Sequence, residues 1–95
     1  MKPAQRAYLR RLAHPLPVTV MIGKNGLTEG ILAKIEQELN AHELIKVRFL
    51  DHKDMKQSLT ETIVSETGAD LVAIIGHTAI LFRQHADPTQ RKIQV

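Results

Sequence analysis

Residues 70–83, DLVAIIGHTAILFR, set two apolar runs on either side of a single Gly76-His77 pair. Two residues with glycine first suit a tight hairpin turn. The runs therefore predict two antiparallel strands, Asp70–Ile75 and Thr78–Arg83. The first run is nearly continuous in its apolar character, which is the pattern of a central strand. A chain committed to this hairpin needs further strands, and two more are legible. LIKVRFL, Leu44 to Leu50, alternates strongly, with Ile45, Val47 and Phe49 on one side and Lys46 and Arg48 on the other. Val18 to Ile22 is short, apolar and β-branched at its ends.

The segments between them have helical spacing. Pro3 suits a first helical turn, and Tyr8, Leu9 and Leu12 form one apolar stripe before His14-Pro15 ends the helix. Thr28 is an N-cap residue, followed by the core positions Ile31, Leu32, Ile35 and Leu39. Asp51 or Asp54 is expected to cap a third helix with Met55, Leu59 and Ile63 as its stripe, and Gly68 to stop it. The reading is a single α/β domain, α-β-α-β-α-β-β, with a four-stranded mixed sheet. Two right-handed crossovers put the second and third helices on one sheet face. The domain is expected over residues 1–84, with a loose tail over 85–95.

Composition narrows the function classes. With 95 residues, 43% of them hydrophobic, the chain suits one ordinary globular core. The absence of cysteine excludes disulfide scaffolds and cysteine-ligated zinc. No apolar run approaches the length of a membrane span, and the charged N-terminus makes a poor signal peptide. A cytoplasmic protein is expected. The net charge is +3, and no acidic residue precedes Glu29. That acid-free segment carries Lys2, Arg6, Arg10, Arg11 and Lys24. Like charges four residues apart on a helix repel by about 0.2–0.5 kcal/mol per pair, which a bound polyanion would relieve. The alternative is a solvated basic face.

The stretch IGKNGLTEG is the main candidate for a site. Gly23, Lys24, Asn25 and Gly26 join the end of a strand to the start of a helix, where free N–H groups and the helix dipole favour an anion. Glycines allow close backbone approach, and Lys24 adds a cation. A plain turn accounts for the same glycines. The motif is neither the nucleotide-binding P-loop nor the dinucleotide fingerprint. Gly30 inside a helix costs about 1 kcal/mol relative to alanine, and suggests close packing or the approach of a ligand. The five histidines, His14, His42, His52, His77 and His85, have no metal-ligand spacing. Glu36, Glu38 and Glu43 read as a solvated helix end. No nucleophile has an evident base, so neither a catalytic residue nor a cofactor is expected. The rival enzyme reading is a nuclease using His77 or His14. Only Tyr8, Phe49 and Phe82 are aromatic, which disfavours an aromatic base-stacking platform. Lys46 and Arg48 extend a backbone-binding surface if their strand face stays open.

Taken together, IGKNGLTEG, AHELIKVRF and IIGHTAILFR resemble the YhbY/CRM family, as does the opening QRAYLRRLAHPL. The resemblance runs from about Lys2 to Arg83. It implies an RNA-binding domain similar in fold to the C-terminal domain of translation initiation factor three. Bacterial stand-alone members of that family are associated with precursors of the large ribosomal subunit, and plant relatives with group II intron splicing. The implied partners are large-subunit rRNA or its precursor and the pre-ribosomal particle; the oligomeric state is left open, with a monomer favoured. The family's GxxG loop falls on Gly23, Lys24, Asn25 and Gly26, and its first-helix basic residues on Arg6, Arg10 and Arg11. The chain departs from the family pattern at HPLPVTV, where a basic residue near Pro17 is expected. The other binding class is a protein-interaction module that meets the ribosome through a ribosomal protein. Lys24→Glu is expected to weaken RNA binding strongly, and Lys56→Glu to do little.

Overall fold

A computed structural model describes residues 1–95. The chain forms α1 (Pro3–Ala13), β1 (Val20–Ile22), α2 (Glu29–His42), β2 (Leu44–Phe49), a 3-10 turn (Lys53–Met55), α3 (Lys56–Thr67), β3 (Asp70–Ile75) and β4 (Thr78–Phe82). A second 3-10 turn spans Pro88–Gln90. The sheet order is β1-β2-β4-β3, with β1 parallel to β2 and β4 antiparallel to both β2 and β3. Gly76 and His77 make the hairpin turn, and Gly76 takes φ +60°. The expected α-β-α-β-α-β-β order and mixed sheet are the observed ones.

The place of β3 differs from expectation. Asp70–Ile75 is an edge strand, and β4 takes the central position beside β2. Its apolar run has a different cause: both faces of β3 are covered. Val72 joins the cluster under α1, and Leu71 and Ile74 pack on the cluster under α2 and α3. Burial on two faces removes the need for alternation whatever the strand's position in the sheet.

The two sheet faces carry separate cores. Ile35 and Leu39 of α2 and Ile63 of α3 pack with Ile22, Val47, Phe49 and Leu81 on one side. Leu9 and Ala13 of α1 pack with Leu44, Val72, Ile80 and Phe82 on the other. The alternation of β2 thus divides its side chains between two helical layers. Full burial of a side chain such as Leu9 contributes roughly 1.5–3 kcal/mol.

Helix ends follow local chemistry, with one correction. Thr28 caps α2 by accepting from the Ile31 amide at 3.1 Å. Gly68 ends α3 at φ +71°. Neither Asp51 nor Asp54 caps α3, whose cap residue is Met55 with no side-chain bond. Asp51 accepts instead from the His52 amide at 2.7 Å, in a left-handed turn that leads into the 3-10 segment. That extra turn separates the aspartates from the helix start.

Glu43 is also not the solvated acid its neighbours suggested. It is buried, with φ +65°, between α2 and β2. Its carboxylate accepts from the amides of His85 (2.7 Å), Lys92 (2.6 Å) and Ile93 (3.0 Å). The chain reverses sharply after α2, which turns this side chain inward to the residue 85–95 segment. Burial alone pushes the Glu43 carboxyl up, but the three amide donors outweigh it and hold the pKa below the usual value.

Candidate nucleic-acid interface

The GKNG segment is a closed turn. The Gly26 amide donates to the Gly23 carbonyl at 3.0 Å, and Gly26 takes φ +69°. The plain-turn reading is therefore correct in geometry, and one of the four amides is used internally. The turn is also separated from α2 by Leu27 and the cap Thr28. The amides of Lys24 and Asn25 make no hydrogen bond within the chain, and the Lys24 ammonium has no partner.

His52 fixes this turn from outside. Its Nε2 lies 2.9 Å from the Lys24 carbonyl oxygen, and its ring would stand 3.6 Å from a Cβ added at Gly26. His52 itself adopts φ +54°. Glycine at position 26 thus meets a conformational requirement. Gly23 has neither a positive φ nor any atom near an added Cβ, so nothing in the fold requires glycine there. Gly30 resembles Gly23: its nearest neighbour would be Thr28 Oγ1 at 3.8 Å, which removes the close-packing explanation.

Strand register links the turn to α1. Met21, directly before Ile22 and the turn, pairs with Arg48, which pairs with Thr78, which pairs with Ile75. These four make one row across the α1 face at the C-terminal end of β1 and β2. Helix α1 leaves the row open, and Met21 and Ile75 are 52% and 50% exposed. One row deeper, Lys46 and Ile80 are register partners. A cleft of about 640 Å³ lies there, with Arg10, Arg11 and His14 of α1 on its rim and Ile75, Thr78 and Ile80 among its sheet residues. Arg6 is exposed one helical turn before Arg10 and does not line the cleft.

The cations in this region differ in what they are free to do. The three ion pairs are Lys34–Glu38, His42–Glu38 and Arg83–Glu36, so Arg6, Arg10, Arg11, Lys24 and Arg48 have no acidic partner. Lys46 is committed otherwise. Its Nζ donates to the His14 and Leu16 carbonyl oxygens, each at 3.0 Å, and so satisfies the end of α1.

Sequence reasoning missed part of this surface. Lys56 donates to the Gly76 carbonyl oxygen and approaches His77 Nδ1, which places it at the hairpin turn rather than on a remote face. It is thus unsuited as an inert comparison for Lys24. Loss of solvent around the ring lowers the His77 pKa, and the charges of Lys56, Lys53 and Arg48 lower it further. The basic residues of DHKDMK were visible, but their convergence on His77 depends on the strand order. His52 gave no signal beyond following a strand. No three His, Asp or Glu side chains gather as a metal site, and no helix is long and apolar enough to cross a membrane.

Comparison with known proteins adds independent findings. The profile of the CRS1/YhbY (CRM) domain matches residues 1–83. The chain is 50% identical over 80 residues to an RNA-binding protein of Haemophilus influenzae, covering 83% of this chain and 81% of that protein. It is 36% identical over 87 residues to a probable RNA-binding protein of Pseudomonas aeruginosa, covering 90% and 84%. The solution structure of a hypothetical protein from Staphylococcus aureus superposes with a TM-score of 0.81 at 33% identity, covering 99% of both chains.

Proposed function

The chain belongs to the CRS1/YhbY (CRM) domain family, and from that premise we propose that it binds RNA without catalysis and assists assembly of the large ribosomal subunit. The observation that carries the binding mode is the set of unpartnered cations. Arg6, Arg10 and Arg11 on α1, Lys24 in the turn and Arg48 in the open row have no acidic partner. RNA presents the complementary charge along its backbone, and such contacts set affinity and position.

Within this reading, Lys24 and the amides of Lys24 and Asn25 engage a phosphate, and Gly23 leaves room for it. Gly26 serves by forming the turn. Arg6, Arg10, Arg11 and Arg48 hold further phosphates. Lys46 contributes by fixing α1 over the sheet rather than as a free cation. The specific assignment to large-subunit rRNA and its precursor particle rests on the family resemblance.

The test is binding of the purified chain to large-subunit rRNA fragments across a salt series. Neutralising four or five phosphates gives a log–log slope of about −3 to −4. A flat response would remove the phosphate-contact mechanism. Association with precursor particles that survives complete RNase digestion would replace it with a protein-interaction role.

A further inference from the structure

We propose that the cleft between α1 and the open sheet row is a subsite for one unpaired nucleobase, so that the protein reads single-stranded RNA in addition to holding its backbone. The inference rests on the RNA-binding reading and deepens it. Its ground is the pairing of an apolar floor with a cationic rim. Val18, Ile75 and Ile80 line the cleft below, while Arg10, Arg11 and His14 line its α1 side. No acidic residue lines it. At about 640 Å³ it falls among pockets that hold small organic groups, which span about 300–1,000 Å³.

This chemistry selects its occupant. A phosphate alone leaves the apolar floor unused, and an aliphatic side chain leaves the two guanidinium groups without a partner. A nucleotide satisfies both, with its base on the floor and its phosphate at the rim. Arginine can also stack its planar guanidinium on a base, which replaces the aromatic platform this chain lacks. Both arginines are available, because neither is ion-paired. A duplex base is stacked and paired, so the occupant must come from a loop, bulge or free strand. Lys46 also lines the cleft, and by bonding the His14 and Leu16 carbonyls it ties down the segment at the end of the helix that carries the rim.

The experiment compares a short single-stranded RNA with an abasic strand of equal length and charge, using the full chain at one salt concentration. The intact strand is expected to bind about five- to a hundredfold more tightly, the range given by one stacked base. Ile75→Ser, at a half-exposed position, should remove most of the margin between intact and abasic strands. NMR titration with uridine monophosphate should shift the Ile75 and Ile80 methyls, and ribose 5-phosphate should not. Equal affinity for intact and abasic strands would overturn the nucleobase subsite and leave backbone binding intact. Absence of binding by either strand would overturn the RNA reading itself.

Discussion

The two ends of the sheet use similar residues in opposite ways. At the end where β1 and β2 finish, Lys24 and Arg48 have no acidic partner, and neither do Arg10 and Arg11 on the neighbouring helix. At the other end, Arg83 donates to Glu36 (2.8 Å), the Thr67 carbonyl oxygen (2.7 Å) and Asn40 (3.0 Å). Lys92 donates there to the Ala41 carbonyl oxygen, and Glu43 gathers three amides. A net charge of +3 therefore understates the field at the first end. On the proposed RNA-binding function, what matters is which cations the fold leaves free at one end, and that is a property of the fold rather than of the composition.

The largest way to break this contrast is to remove the anchor of the second end. Glu43→Leu leaves three amides without their acceptor and should cost about 2–4 kcal/mol in urea unfolding. RNA affinity of the folded protein should hold steady, and faster proteolysis after residue 84 would accompany the loss. Acid should act in the same direction. Because the folded Glu43 pKa lies below its unfolded value, its stabilisation is complete above the unfolded pKa and disappears as pH falls through the folded one.

At the first end, Arg10→Glu with Arg11→Glu should weaken rRNA binding about a hundredfold, and Lys24→Glu about tenfold. Lys34→Glu, which breaks a surface pair with Glu38, serves as the comparison and should change affinity less than twofold. Similar losses from all three in filter-binding measurements would erase the distinction between the ends.

The glycines sharpen it further. Gly23→Ala should fold normally yet bind about fivefold more weakly if a phosphate lies against that backbone. Gly30→Ala should raise stability by about 0.5–1 kcal/mol, since its site is open and helical. Gly26→Ala would be strained at φ +69° and cannot make the same separation.

The smallest expected effect is on pH. A polyanion favours protonated His77, whose pKa in the free protein is lowered by lost solvation and by Lys56, Lys53 and Arg48. Affinity should therefore rise about two- to threefold as pH falls to below the ordinary histidine range, where the free protein's His77 takes up its proton. The rise should vanish in His77→Asn.

Much of the fold was legible because it is written in local periods. The alternation of β2, the Thr28 cap, the Gly68 stop and the Gly76-His77 hairpin all appear where short-range patterns put them. The edge position of β3 was not legible, because burial by two helical layers produces the same apolar run as a central position. Glu43 was misread for a related reason. Its environment comes from residues more than 40 positions away in sequence. At the candidate site, the free arginines and the GKNG turn could be picked out from one acid-free segment. The His52 brace, the commitment of Lys46 and the Met21–Arg48–Thr78–Ile75 row required the register.

The bond from Lys46 to the end of α1 has a kinetic consequence. Because that helix end is fastened to the sheet, Arg10 and Arg11 need no folding step to meet the proposed RNA partner. Capture should be governed by diffusion and charge, approaching ~10⁸–10⁹ M⁻¹s⁻¹ at low ionic strength. Lys46→Met would leave the two carbonyls to water and loosen the last turn of α1, while Leu9 and Ala13 keep the helix packed on the sheet. Stopped-flow capture should then slow modestly, while its salt dependence, set by Arg10 and Arg11, should persist.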